Sequence, residues 1–291
     1  DGGHHISNNQ IANIFEDCKQ QVWLRSGNIY DLPTHTIKPF PFRDQINSIN
    51  FFFEDSKGRI WIGTSSNGLG FYEPGAAGFT WLTKHPVLSE GVVVSMLEDL
   101  KGDFWIGVNK NLIRLSGDLQ NVFVFDSRDG LQHGDYINEA AIADNEGTMY
   151  FGGSRGITYF KPEEILLNKR PIKVYLTGLR LFNKAVIPGK DVLLDSTLIS
   201  KKRLVLPYNH RELVFEFTGI NFTNAGKNKY AFKIEGLQTE WVYTDAENRE
   251  ASYFQIPPGK YFLHVKAANN SGVWNDDPAT LEIIVTPPWY Y

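Results

Sequence analysis

The chain has 291 residues, a formal net charge of −4 and one cysteine; the length suits two domains and a single cysteine excludes an internal disulfide. The acidic balance, with its basic residues scattered, argues against direct contact with nucleic acid, and no stretch approaches the ~18 consecutive apolar residues of a membrane-spanning helix. Aromatic residues make up 14% and glycines number 26, which suits an all-β protein with many turns.

The amino terminus, Asp1-Gly-Gly-His-His, lacks the pattern of a signal peptide and runs almost directly into a repeat. Four copies of one pattern follow: Ile14-Phe-Glu-Asp17…Trp23-Leu-Arg, Phe52-Phe-Glu-Asp55…Trp61-Ile-Gly, Met96-Leu-Glu-Asp99…Trp105-Ile-Gly and Ile142-Ala-Asp144…Tyr150-Phe-Gly. In every copy an aromatic residue stands six positions after the Asp, and successive Asp residues are 38, 44 and 45 apart. A period of about 40 residues with several short strands per unit predicts β-propeller blades. Such a unit cannot bury its own hydrophobic face and needs neighbours.

Within a copy, Asp55-Ser-Lys-Gly58 reads as a tight hairpin turn. Asp bonds the backbone amides ahead of it, and Gly supplies the left-handed backbone. Asp99-Leu-Lys-Gly102 and Asp144-Asn-Glu-Gly147 repeat the design, whereas Asp17-Cys-Lys-Gln20 puts Gln in the Gly place and predicts a strained turn. The flanking runs 49–53 and 59–62 are aromatic and β-branched, as strands prefer. A third strand is expected at 69–72, 112–115 and 157–160 of the last three copies.

The pairs Glu16-Asp17, Glu54-Asp55 and Glu98-Asp99 suggest two carboxylates flanking a scissile bond. A catalytic pair occurs once in a fold, while a turn-forming Asp occurs in every blade, so the repetition favours a structural role. Trp23, Trp61, Trp105 and Tyr150 read in the same way as blade-to-blade core rather than a sugar platform. The loops after each Trp-x-Gly unit, Ser65-Ser-Asn67, Asn109-Lys110 and Ser154-Arg155, differ between repeats more than the strands do. If this segment holds ligand specificity, Asn67, Asn109, Lys110 and Arg155 are the candidate contacts; the alternative is ordinary solvated turns.

The repeat stops after Phe160-Lys-Pro162, and a charged joint bounded by prolines, Lys161 to Pro171, marks a domain boundary. Beyond it strands alternate cleanly: Leu213, Phe215 and Phe217 share one face, and Tyr230, Phe232 and Ile234 point inward with Lys233 outward. The runs 261–267 and 281–285 do much the same. Period-two strands joined by Gly, Pro and Asn turns predict a β-sandwich of immunoglobulin or fibronectin type. His264 falls on the face opposite Tyr261, Leu263 and Val265 and reads as a solvated surface residue, and Lys201-Lys202-Arg203 as a solvated loop. The seven histidines are dispersed. With no His-Glu-x-x-His, Cys-x-x-Cys, phosphate loop or Gly-x-Ser-x-Gly elbow, the expectation is no metal, no cofactor and no catalytic residue.

The stretch Tyr230…Glu235-Gly-Leu…Trp241…Tyr253-Phe-Gln-Ile-Pro-Pro-Gly259-Lys-Tyr261…Val265-Lys-Ala-Ala-Asn269…Gly272-Val-Trp274…Pro287-Pro-Trp289 closely resembles the triple-tyrosine (Y-Y-Y) domain. The first half resembles the two-component regulator propeller repeats that precede that domain, and Gly130-Leu-Gln…Asn138-Glu-Ala-Ala141…Tyr150-Phe-Gly-Gly153…Phe160-Lys-Pro162 resembles the family's last blade. Together they resemble the periplasmic sensor region of bacterial hybrid two-component histidine kinases. The resemblance implies an all-β chain, with residues 1–165 as the C-terminal blades of a propeller and residues 166–291 as the Y-Y-Y sandwich. It further implies an oligosaccharide ligand derived from a polysaccharide, homodimerisation through the Y-Y-Y domain, and tethering to the inner membrane beyond Pro287-Pro-Trp289, with the kinase in the rest of the parent. The family usually carries more blades, so the resemblance implies that the four are the C-terminal part of a longer run; four blades closing a ring of their own is the minority alternative. Thr286-Pro-Pro-Trp-Tyr-Tyr291 has the makeup of a membrane-proximal collar.

Two other classes stay open, a structural adhesion module and a glycan-active propeller enzyme. The enzyme needs an unrepeated carboxylate constellation; Asp135 and Glu139 stand outside the repeat register, but nothing in the sequence pairs with them.

Overall fold

A computed structural model describes residues 14–40, 46, 48–76, 78–189, 193–209 and 212–288. The opening Asp1-Gly-Gly-His-His and the Trp289-Tyr290-Tyr291 part of the collar lie outside the described residues. The chain forms two compact units, Asp1–Leu166 and Leu167–Tyr291.

The first unit is a series of meandering antiparallel sheets. The first contains β1 (Ile14–Glu16), β2 (Gln21–Leu24), β3 (Asn28–Asp31) and β4 (Thr36–Pro39). The second contains β5 (Ile49–Glu54), β6 (Ile60–Thr64), β7 (Leu69–Tyr72) and β8 (Phe79–Trp81). The third contains β9 (Val93–Glu98), β10 (Phe104–Val108), β11 (Asn111–Leu115) and β12 (Val122–Phe125), and the fourth β13 (Tyr136–Ala143), β14 (Met149–Gly153) and β15 (Gly156–Phe160). Each sheet is one repeat, and the first has the third strand that its sequence did not announce. A single-turn helix, α1 (Pro86–Ser89), lies in the connection between the second and third sheets, with Pro86 at its first turn. First strands β5, β9 and β13 pack on one another, the arrangement of blades about a common axis.

Aromatic side chains join the blades. Trp23 packs against Phe52 and Tyr72 of the second sheet, Trp61 against Phe104 of the third, and Trp105 against Phe160 of the fourth. Trp61 has no exposed surface. Tyr150 has no following blade among the described residues; it stacks on Tyr159 of its own sheet and stays half-buried.

The turns follow their sequence. In each, the Asp amide donates to the carbonyl four residues on, and the fourth turn residue donates back to the Asp carbonyl. Gly58, Gly102 and Gly147 have φ of 75°, 80° and 80° there, and Gln20 holds the same conformation at 60° despite its side chain.

The second unit is a sandwich. One sheet runs β17-β16-β19-β22, with β16 at Val174–Leu181, β17 at Lys184–Ala185, β19 at Glu212–Gly219 and β22 at Glu250–Phe254. The other runs β18-β24-β23-β20-β21, with β18 at Arg203–Leu206, β20 at Lys229–Glu235, β21 at Val242–Asp245, β23 at Gly259–Ala268 and β24 at Ala279–Val285. The pair β18–β24 is parallel and its neighbours antiparallel. Between the sheets lie Leu213, Phe215 and Phe217 from one side and Tyr230, Ile234, Leu263, Val265, Leu281 and Ile283 from the other, the alternation of inward residues that a sandwich needs.

The three tyrosines serve this core. The Tyr230 hydroxyl accepts from the Gly219 amide at 3.0 Å, and that of Tyr261 donates to the Pro257 carbonyl at 3.1 Å. Tyr253 packs edge-on to Phe232, and burial pushes its phenol well above the ordinary tyrosine range. Trp241 and Trp274 lie instead on the outer face, where the Lys266 ammonium sits 4.3 Å and 5.0 Å from their rings.

Two surface expectations are corrected. His264 is held rather than merely solvated: its Nε2 donates to Glu235 Oε2 at 3.0 Å, and its Nδ1 lies 3.0 Å from Thr280 Oγ1. Arg203 opens strand β18 and pairs with Glu282, while Lys201 pairs with Asp195 at 2.6 Å.

Candidate ligand-facing rim of the propeller

The repeated carboxylates are fully employed. Asp17, Asp55, Asp99 and Asp144 each accept two turn amides on Oδ1, and on Oδ2 the ring N–H of Trp23, Trp61 and Trp105 or the hydroxyl of Tyr150. Burial pushes the Asp55 carboxyl up, but bonds from Trp61 and Arg59 and the Arg59 charge outweigh it and hold it below the usual carboxylate range. The Glu residues beside Asp55 and Asp99 reach the preceding blade. Glu54 Oε2 accepts from the Cys18 amide at 2.8 Å, and Glu98 takes the Ser56 amide at 2.7 Å and hydroxyl at 2.6 Å. In the fourth repeat Ala143 stands in the Glu place, and Leu100, the turn residue it would meet, is 97% exposed. Glu54-Asp55 and Glu98-Asp99 thus serve as latch and turn.

A continuous rim forms at the other end of the blades. Ser65 donates its amide to the Ser48 carbonyl at 3.1 Å, and Asn50 Nδ2 reaches the Val93 carbonyl at 2.9 Å. Asn109 donates its amide to the Val92 carbonyl at 3.1 Å and accepts the Tyr136 amide at 2.8 Å; Ser154 donates to the Asp135 carbonyl at 2.8 Å. The loops 65–67, 109–110 and 154–155 therefore open on one face, each tied to the strand that begins the next blade or its own.

The side chains expected there fare differently. Asn67 is half-buried; its amide bonds Thr64 Oγ1 at 2.8 Å and its Oδ1 takes the Ser66 hydroxyl. Asn109 has a φ of 50°; its Oδ1 accepts from the Val92 amide of its own blade at 3.3 Å, and its backbone carbonyl takes the Tyr136 amide of the next. Lys110 and Arg155 are exposed. No hydrogen bond joins these four side chains to one another among the described residues.

Sequence reasoning missed two features of the rim. Helix α1 packs its Leu88 carbonyl over Gly68, which has no space for a Cβ. Strand β13 also breaks its register between Tyr136 and Ala141; the polar run Asn138-Glu139 inside a strand was the visible signal. No group of three or more His, Cys, Asp or Glu suited to a metal occurs among the described residues. No helix among them is long and apolar enough to cross a membrane.

An all-β chain of propeller blades followed by a sandwich, with a loop-bearing rim, is the class that fold and site define. Residues 45–66 match the two component regulator propeller family and residues 221–286 match the Y_Y_Y domain. Over 99% of its length it is 34% identical to histidine kinase P4 of Formosa agariphila, of which it spans 22%. In fold it resembles the extracellular domain of the hybrid two component system BT3049 from B. thetaiotaomicron, with a TM-score of 0.80 and 22% identity over 96% of this chain and 38% of that one.

Proposed function

We propose that this chain is the extracytoplasmic ligand-sensing and signal-transmitting part of a hybrid two-component sensor, lying in the periplasm and tethered to the inner membrane by its parent protein. The observation that carries the reading is the alignment of both units together, across 99% of the chain, with a histidine kinase. The ligand is an oligosaccharide released from a polysaccharide, met by the loops that carry Asn67, Asn109, Lys110 and Arg155. The output is mechanical and not catalytic, consistent with the engagement of the repeated carboxylates in turns and latches. Ligand binding biases how two Y-Y-Y domains pair, a population shift between two dimer geometries.

Calorimetric titration of the ectodomain with a panel of oligosaccharides tests this. Binding that weakens when Lys110 and Arg155 are both replaced by alanine supports the rim as the contact surface; unchanged binding places the contacts elsewhere. Replacing Pro287-Pro288 by Gly-Ser in the full receptor tests transmission, because each proline fixes φ and stiffens the exit from β24. Signalling lost with binding intact is the expected result.

A further inference from the structure

We propose that the end of the sandwich from which β24 exits rests on the surface of a lipid bilayer, with Phe182, Leu237 and Phe254 as its contacts. The inference rests on the membrane tether proposed above.

Topology gathers these three residues at one end. Val285, the last residue of β24, pairs with Gly259 of β23 and with Leu206 of β18. Only four residues separate Gly259 from Phe254, the last of β22, and five separate Leu206 from Glu212, the first of β19. At about 3.5 Å per residue, such connections are too short to change sheets and also run back along a strand. Phe254 pairs with Glu212, whose carbonyl takes the Phe182 amide at 3.4 Å. The two phenylalanines therefore stand in one row, two strand spacings or about 10 Å apart. On the other sheet β20 turns beyond Glu235. A Cβ on Gly236 would fall 3.0 Å from the Tyr261 ring, beside the start of β23, and Leu237 follows.

Phe182 is 53% exposed, Leu237 43% and Phe254 70%. Single exposed apolar residues are ordinary on a surface; the way Phe182 is held is not. It opens the two-residue turn that joins β16 to β17, in which Phe182 and Asn183 have φ of 50° and 59°. Turns of this kind favour Asn-Gly, and left-handed backbone is costly for a residue with a Cβ. Gln255, next to Phe254, has a φ of 49°, and Pro257-Pro258 follow it. Tight turns and prolines thus hold the two rings out at the end of the sheet.

A bilayer fits this arrangement better than a protein. Three separate loops carry the three side chains, and a protein partner would need a matched pocket for each. A bilayer interface takes protruding apolar side chains without a matched shape. Lys184, exposed in the same hairpin, suits the phosphates of anionic lipids. Glu212, exposed between the two phenylalanines, keeps the contact at headgroup depth. Strand β24 carries Pro287 and Pro288 past this same end, so the tether meets the bilayer here. A tether raises the local concentration of the surface, so a shallow contact suffices.

The test supplies the tether itself. The full chain, with Cys18→Ser and a C-terminal polyhistidine tag, is anchored to vesicles of equal parts phosphatidylethanolamine and phosphatidylglycerol doped with a nickel-chelating lipid. A nitrobenzoxadiazole label is placed through Phe182→Cys, Phe254→Cys or Phe222→Cys. Phe222 is the control, 99% exposed at the opposite end, just past β19. The expected result is a blue shift of the label at 182 and at 254, with quenching by nitroxide-bearing lipid, and neither at 222. No response at 182 and 254, or an equal response at all three positions, overturns the proposal. A response that grows with protein density and is not quenched by the lipid assigns this end to a second copy of the chain, and overturns it as well. Because the tag replaces the native anchor, these outcomes leave the tether reading untouched; membrane fractionation of the parent receptor tests that separately.

Discussion

The indole Nε1 of Trp61 donates to Asp55 Oδ2 at 2.8 Å, while Asp55 Oδ1 accepts the amides of Lys57 and Arg59 at 2.9 Å each. One carboxylate therefore fixes both a hairpin turn and the ring that fills the space before the next blade. The Asp–aromatic distances in the other copies are 2.8, 3.0 and 3.1 Å. This bond is the physical content of the constant six-residue spacing.

Replacing Asp55 by alanine strips a buried ring N–H, two amides and the Arg59 guanidinium, which is paired at 2.6 Å, of their acceptor. Breaking a buried pair on one side costs about 3–5 kcal/mol. Urea unfolding of Asp55→Ala should show a loss of that order, and a loss below about 1 kcal/mol would refute the role given to this carboxylate.

Ala143→Glu restores the missing latch of the fourth blade. The new carboxylate should accept the Leu100 amide as Glu98 accepts that of Ser56. A single charge-assisted bond at the surface contributes about 0.5–1 kcal/mol, so a small rise in unfolding midpoint is expected. The reverse substitution, Glu98→Ala, should lower the midpoint by a similar amount; equal midpoints for all three chains would show that the latch carries no stability.

Gln20 sits where three sister turns carry glycine, and it is exposed. Gln20→Gly should stabilise the first blade by about 1 kcal/mol, the cost of left-handed backbone for a residue with a Cβ. Thermal unfolding of the two chains checks the sign, and a lowered melting temperature would contradict it.

Acid should loosen the propeller through Asp55. Its folded carboxyl titrates below the ordinary range of about 4. The stability it contributes is therefore complete above that ordinary value, and it is lost as pH falls from about 4 through the lower folded value. The urea midpoint should be insensitive to this group between pH 5 and 7 and should drop below about pH 4. Asp55→Asn should remove that part of the drop, and an identical acid profile would assign the effect to other carboxylates.

Much of the architecture was legible because local chemistry repeats. Asp, Gly and Trp at fixed offsets reported turn, strand and core together, and strict alternation in 213–217 and 230–234 reported the sandwich faces. The latch was not legible, because Glu54 and Cys18 are far apart in sequence and nothing local marks an inter-blade bond. The same holds for Asn269, whose Nδ2 bonds the carbonyls of Asn168 and Arg170 at 2.6 and 2.8 Å and pins the start of the second unit. The rim was legible only as variable loops. Its shape depends on a register break in β13 and on a helical turn after a proline, both decided by packing rather than by pattern.

The parallel seating of β18 beside β24 has a mechanical meaning. Strand β24 is bonded along both edges, by β23 on one side and β18 on the other, and the Thr286 amide adds a bond to the Leu206 carbonyl at 2.9 Å. Ladder bonds to an antiparallel neighbour lie across the strand. Tension applied to Thr286 along the strand thus loads the β23 rungs in shear, many at once, instead of peeling them one after another. The rungs on β24 share such a load before any one of them opens.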